Sequence, residues 1–69
     1  MLDRHQRFFK ELIKLYKKHK IIGYGKFFVG FENDWNFVIT NIDTGKVTVD
    51  SWSRSDTYTV YSDGSFDVY

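Results

Sequence analysis

The chain has 69 residues, no cysteine and a net charge of +1. Without cysteine there is no disulfide framework and no thiolate metal site, and the longest apolar run, residues 27–31, is far shorter than the ~20 residues that span a bilayer. A chain of this length buries only about 60% of its unfolded surface, so we expect one small domain, 1–69, in the cytoplasm and without a membrane segment.

Residues 3–20 are predicted to form an amphipathic helix. At about 100° per residue its apolar side chains fall on one stripe: Phe8, Phe9, Leu12, Ile13, Leu15 and Tyr16. Asp3 is the predicted N-cap, with Gln6 three residues later, and Gly23 is the predicted stop. The opposite face is basic and is a candidate binding surface, consisting of Arg7, Lys10, Lys14, Lys17 and Lys18.

Five strands are predicted after the helix, at 26–31, 35–42, 46–52, 57–61 and 65–69. The Asp63-Gly64 pair between the last two is a strong hairpin signal. Because short connections join antiparallel neighbours, the predicted fold class is α+β. One N-terminal amphipathic helix packs on a four- to five-stranded antiparallel β-meander.

Alternation along the strands assigns the two sheet faces. The predicted core-facing residues are Phe27, Val29, Phe31, Trp35, Phe37, Ile39, Val47, Val49, Tyr58, Val60, Phe66 and Val68. One helix cannot cover both faces of such a sheet, so the second face meets water or a partner. Its rings and one lysine form a second candidate binding surface: Tyr24, Lys26, Phe28, Trp52, Tyr61 and Tyr69. This face favours a protein partner or a homodimer, although cross-strand rings can also simply strengthen a sheet.

Charge and ring content keep nucleic acid as an alternative partner. The first 20 residues carry seven basic against two acidic side chains, a charge of +5, and the remainder carries three against seven, a charge of −4. The stretch from Gly23 to Phe31 resembles the strand motif of RNA-recognition and cold-shock domains, whose rings stack on bases. It departs from that motif by two extra residues, Lys26 and Phe27, and by Ile22 at the basic position. A further alternative is an oligomer that sequesters a nucleotide signal by stacking on Trp52 and Tyr24.

Catalysis, a cofactor and a metal site are not expected. His5 and His19 are fourteen residues apart, about 21 Å along the helix, and cannot share a metal. Each is expected to be a helix-end residue with a half-buried ring. The carboxylates fall mainly in turns, where they form local hydrogen bonds.

The run from Phe8 to Lys18, leading into Gly23-Tyr24-Gly25, resembles the openings of many small proteins encoded by phages and prophages. The resemblance covers about a third of the chain. It implies a protein of the bacterial host cytosol that inhibits a defence complex or a nucleic-acid enzyme by stoichiometric binding. No site residue follows from it.

Overall fold

The computed structural model describes residues 2–23, 25–43, 45–51 and 56–69. One helix and five strands follow in chain order: α1 (Asp3–Lys18), β1 (Phe27–Gly30), β2 (Asn36–Asp43), β3 (Lys46–Ser51), β4 (Thr57–Tyr61) and β5 (Phe66–Val68). The sheet has the order β1-β2-β3-β4-β5, and each neighbouring pair is antiparallel. The predicted α+β fold, a helix on an antiparallel meander, is confirmed.

The core lies between α1 and the middle of the sheet, where α1 packs across β2, β3 and β4. Its members are each at most 3% exposed: Phe9, Ile13, Phe37, Ile39, Ile42, Val47, Val49, Tyr58 and Val60. α1 does not fully cover the edge strands β1 and β5. Phe27 and Val68, both predicted in the core, are exposed there. A helix about 10 Å wide cannot cover five strands spaced about 4.8 Å apart.

A β-bulge in β2 brings Ile42 into the core. Ile39 pairs with Val49 and Asn41 pairs with Thr48, so Thr40 is an extra residue in β2. The Thr40 hydroxyl donates to the Thr48 carbonyl at 3.2 Å. An extra residue reverses the alternation of the strand beyond it. Simple alternation from Phe37 and Ile39 therefore fails for the end of β2.

The helix begins at Asp3 as predicted, but it ends at Lys18 rather than at Lys20, and its N-cap differs from the predicted one. Leu2, not Asp3, is the N-cap, and its N–H faces His5 Nδ1 at 3.4 Å. At the other end Lys20 N–H donates to Lys17 O and Ile21 N–H donates to Tyr16 O, each within 3.2 Å. This is a Schellman ending with Lys20 as its left-handed residue, at φ 56°.

Gly23 is required for packing rather than for ending the helix. It forms an antiparallel bridge with Ile42. A Cβ at this position would lie 3.1 Å from Tyr16 Cε2 and 3.4 Å from Ile42 Cβ. The glycine thus allows the chain after α1 to pass close to both side chains.

Replacing Lys20 with glycine is expected to raise the free energy of unfolding by about 1 kcal/mol, because glycine adopts a positive φ without the steric cost of a Cβ. The matched control is Lys18→Gly in the last helical turn, which is expected to lower it by about 0.5 to 1 kcal/mol. Urea unfolding followed by circular dichroism measures both. Equal destabilisation by the two changes would contradict the assignment of Lys20 as the helix-ending residue.

Candidate interaction surface

A buried histidine–aspartate pair fixes the start of α1 to the β1–β2 turn. His5 is completely buried, and its Nε2 lies 2.8 Å from Asp34 Oδ2. Since the Leu2 N–H can only donate to Nδ1, the ring proton is assigned to Nε2, which donates to the carboxylate. The expectation of a half-buried His5 ring was wrong, and His19, at the other end of the helix, is exposed.

Three aromatic rings surround His5. Their centroids lie 4.5 Å (Phe31), 5.4 Å (Trp35) and 4.9 Å (Phe37) from that of the imidazole. The pair therefore joins the helix, the turn and β2 in one cluster. It holds Phe31 against the side of α1.

Several donors act on the Asp34 carboxylate. Burial raises its pKa, but the Trp35 N–H at 2.8 Å, the hydrogen bond from His5 and the Arg4 guanidinium together hold the pKa below its usual range. The same Arg4 donates to the Glu32 carbonyl at 3.2 Å and lies 5.3 Å from the centre of the Phe31 ring. The β1–β2 turn is thus attached to α1 at two neighbouring positions of the helix.

The lowered pKa of Asp34 predicts the direction of the acid response. A carboxylate with a folded pKa below its unfolded value, about 3.9, stabilises the fold above that value and loses this effect as pH falls through the folded pKa. Asp34→Asn is therefore expected to be less stable than the wild type at about pH 7, with the difference shrinking below about pH 4. Urea titrations across this range measure it. A difference that stays constant with pH would contradict the role of the ionised carboxylate.

The structure disperses the predicted sheet-face residues. Phe28 on β1 is 68% exposed, and Tyr69 after β5 is 75% exposed. They lie at opposite edges of the sheet, about 19 Å apart. Tyr61 on β4 is half-buried and donates to Asp67 at 2.8 Å, a bond that raises the pKa of the Tyr61 hydroxyl. Exposed Lys26 precedes β1.

Polar and β-branched side chains fill the space between these rings. Val38, Asp50 and Thr57 occupy neighbouring positions on β2, β3 and β4, and the Thr57 hydroxyl donates to Asp50 at 2.8 Å. The described members of the predicted sheet surface do not form one aromatic patch. Tyr24 and Trp52 lie outside the described residues. The homodimer expected from this face stays a prediction.

Four of the five predicted basic residues stay together on α1. Arg7, Lys14, Lys17 and Lys18 are exposed along its solvent side. Lys10 is half-buried beside the β4–β5 turn, where its charge contributes to the lowered pKa of Asp63 after the hydrogen bonds from Ser65. The basic face is thus a stripe of four exposed side chains, and Lys10 lies apart from it beside the β4–β5 turn.

Apolar side chains of α1 and β1 that are exposed or half-buried lie on the same side of the molecule. Phe8 faces this side, since its ring centroid lies 5.5 Å from that of Phe31, and Leu15, two turns later, lies on the same flank of the helix. Leu15 is 51% exposed and Phe27 is 38% exposed. Val29, which shares the sheet face of Phe27, is half-buried. We call this surface, made of Phe8, Leu15, Phe27, Val29 and Phe31, the flank groove.

The flank groove has a shallow, open depression at one end and is apolar and basic at the other. A surface cavity of about 330 Å³ lies at the end near the β1–β2 turn, lined by Arg4, Arg7, Phe8, Glu11 and Phe31. At the far end, the exposed Ile21 and Ile22 extend the apolar surface. Residues 12–31, which contribute most of the groove, include five lysines and no acidic residue.

No group of three or more metal-ligating side chains occurs in residues 2–23, 25–43, 45–51 and 56–69. The His5 ring is completely buried and bonds to the largely buried carboxylate of Asp34. Within the same ranges, no helix has the length and apolarity that a membrane span requires.

Comparison with family models, curated proteins and solved structures finds no match for this chain. The surfaces described above are therefore the basis for assigning a function. The sequence located the basic stripe but placed Leu15 and Phe27 in the core. One helix is too narrow to cover five strands, and this comparison could have placed Leu15 and Phe27 at the margin of the core.

Proposed function

We propose that this chain is a non-enzymatic binding protein that forms a stoichiometric complex with another protein. The flank groove carries the proposal. Exposed leucine, isoleucine and phenylalanine side chains that lie together mark interaction sites, because their burial is worth about 25 cal/mol per Å² of apolar surface. Bordering lysines can steer a partner of opposite charge.

A pre-organised groove favours binding, since little order must be gained when the partner arrives. Phe8 packs on the core, and the His5–Asp34 bond holds Phe31 beside it. Leu15 and Phe27 are then presented by regular secondary structure. These features support a rigid docking surface rather than a segment that orders on contact.

The proposed target is a bacterial defence complex or a host nucleic-acid enzyme, which the chain inhibits in the host cytosol. This part of the proposal rests on the resemblance to small phage and prophage proteins. Stoichiometric inhibition needs a surface and no catalytic group. The flank groove supplies such a surface.

The exposed stripe Arg7, Lys14, Lys17 and Lys18 favours DNA or RNA as a second candidate partner. About four phosphate contacts would give a slope of about −3 to −4 in log K against log salt concentration. The opposing charge of −4 on residues 21–69 weakens long-range attraction to phosphates. A nucleotide sponge is a third candidate, but its stacking residues, Trp52 and Tyr24, lie outside the described part of the chain.

Charge reversal separates the first two candidates. For a protein partner, Lys14→Glu with Lys18→Glu is expected mainly to slow association, with a small change in the dissociation rate. For a nucleic acid, the same change would abolish binding to every sequence alike. Surface plasmon resonance with the partner recovered from a bacterial lysate, and with random DNA and RNA, measures both. Micromolar or tighter binding to random nucleic acid at about 150 mM salt, with no protein partner recovered, would overturn the proposal.

A further inference from the structure

We infer that the occupant of the flank groove is an acidic amphipathic helix of the partner protein, lying beside α1 over β1. The inference rests on the proposed function and adds the chemistry and the secondary structure of the bound segment. Three features of the surface lead to it: its spacing, its shape and its charge.

The spacing of the sheet leaves room for a second helix. α1 packs across β2, β3 and β4, so its axis is centred near β3. β1 is two strands from β3, about 9.6 Å at the usual strand separation. Packed helices have axes 8 to 10 Å apart. A helix placed over β1 would therefore contact α1 and the sheet together, as in two-layer α/β packing.

The shape of the groove matches a cylinder. Phe27 and Val29 form its floor on the sheet, and Phe8 and Leu15 form a wall one layer higher on α1. The cavity above Phe31 continues this step at one end. A flat bilayer surface would contact the top of α1 but would not fill the space between the side of α1 and the sheet. A helix with an apolar face can cover floor and wall at once.

The charge around the groove selects an acidic partner. Arg4 and Arg7 line its cavity end with one acidic residue, Glu11, and Lys18, Lys20 and Lys26 are exposed near its far end. A second copy of α1 is a poor occupant, because residues 1–20 carry a charge of +5 and two such helices repel each other. Glutamate on the polar face of the bound helix would complement these lysines.

The probe is a synthetic peptide of about 18 residues with leucine at helical spacing on one face and glutamate on the other. The first control peptide has the same composition with leucine at every second position, the pattern of a strand. The second control has lysine in place of glutamate. Vesicles containing anionic lipid are the third probe. Binding is followed by amide chemical shifts of the labelled protein and by peptide fluorescence anisotropy.

Two glutamate substitutions form a matched pair of protein variants. Leu15→Glu places a charge in the groove, and Tyr69→Glu places one at a more exposed apolar position on the opposite face. Leu15→Glu should retain the fold because the site is exposed and glutamate is a good helix former. Phe27→Thr, on the floor of the groove, is a second variant that does not alter α1.

The acidic helical peptide is expected to shift the amides of Leu15, Phe27 and Val29. Leu15→Glu and Phe27→Thr should each lower the affinity for this peptide at least about tenfold, and Tyr69→Glu should change that affinity less than about twofold. Equal binding of the strand-patterned or lysine peptide, shifts confined to the opposite face, or preferential binding of vesicles would overturn the inference. So would the absence of binding at about 1 mM peptide, since even weak specific contacts saturate there.

The two proposals fail in different ways. If a cellular protein partner is recovered and is lost with Tyr69→Glu but kept with Leu15→Glu, the inference fails and the binding function stands. If only nucleic acid binds, the proposed function fails as well. If the partner is lost with Leu15→Glu and competes with the acidic peptide, both stand.

Discussion

Replacing His5 with alanine is expected to lower the free energy of unfolding by about 3 to 5 kcal/mol. The substitution empties a fully buried site enclosed by Phe31, Trp35 and Phe37, and it removes the donor that faces Asp34. A domain of this size has a total stability of about 3 to 10 kcal/mol. The expected loss is therefore a large fraction of the total stability, and urea unfolding and the dispersion of the amide spectrum measure it.

Two further histidine variants separate the contribution of the His5–Asp34 hydrogen bond from that of the buried ring volume. His19→Ala, at the exposed end of the same helix, is expected to change stability by less than about 0.5 kcal/mol. His5→Phe retains an aromatic ring but cannot donate to Asp34. Its loss in free energy of unfolding should therefore lie between the losses for His5→Ala and His19→Ala. Equal stabilities for His5→Ala and His19→Ala would contradict the role of the buried pair.

Phe9→Ala is expected to lower the free energy of unfolding by about 3 to 5 kcal/mol. Phe9 is completely buried, and its ring meets those of Phe8, Phe31 and Phe37 edge to face at centroid distances of 5.3 to 6.1 Å. Truncation leaves a cavity at the centre of the helix–sheet interface. Thermal and urea unfolding monitored by circular dichroism measure the loss.

Leu15→Ala is the matched control on the same helix, and it is expected to change stability by less than about 1 kcal/mol. Leu15 is half exposed, and alanine has the highest helix propensity. A large loss here would mean that Leu15 serves the fold rather than a partner. The contrast between Phe9 and Leu15 therefore bears on the flank groove as well as on the core.

Periodicity predicted most of the fold. The spacing of Phe9, Ile13 and Tyr16 defined the core side of α1, and alternation placed Phe37, Ile39, Val47 and Val49 on the buried sheet face. These patterns are local and depend only on the geometry of helices and strands. The Asp63-Gly64 turn was also predicted, with Gly64 at φ 93°.

Features set by tertiary contacts were not predictable in this way. The bulge at Thr40 depends on the register of β2 against β3. Lys20 adopts a left-handed conformation that local propensity assigns to glycine. The His5–Asp34 bond joins residues 29 positions apart in the sequence, and no local motif marks it.

The candidate interaction surfaces were also predictable only in part. The basic stripe was evident because Arg7, Lys14, Lys17 and Lys18 recur at helical spacing. The flank groove was not, because Leu15 and Phe27 follow the same apolar patterns as core residues. Only the position of α1 across β2, β3 and β4 shows that these two side chains lie beyond its cover.

The central claim is that this chain binds a protein partner through the flank groove. Its most direct test is capture from a bacterial host lysate with the wild type, Leu15→Glu and Tyr69→Glu, followed by native mass spectrometry of the recovered complexes. We expect a complex of fixed stoichiometry with the wild type and Tyr69→Glu, and its loss with Leu15→Glu, although all three proteins melt at similar temperatures. Retention of the same complex by Leu15→Glu would contradict the claim.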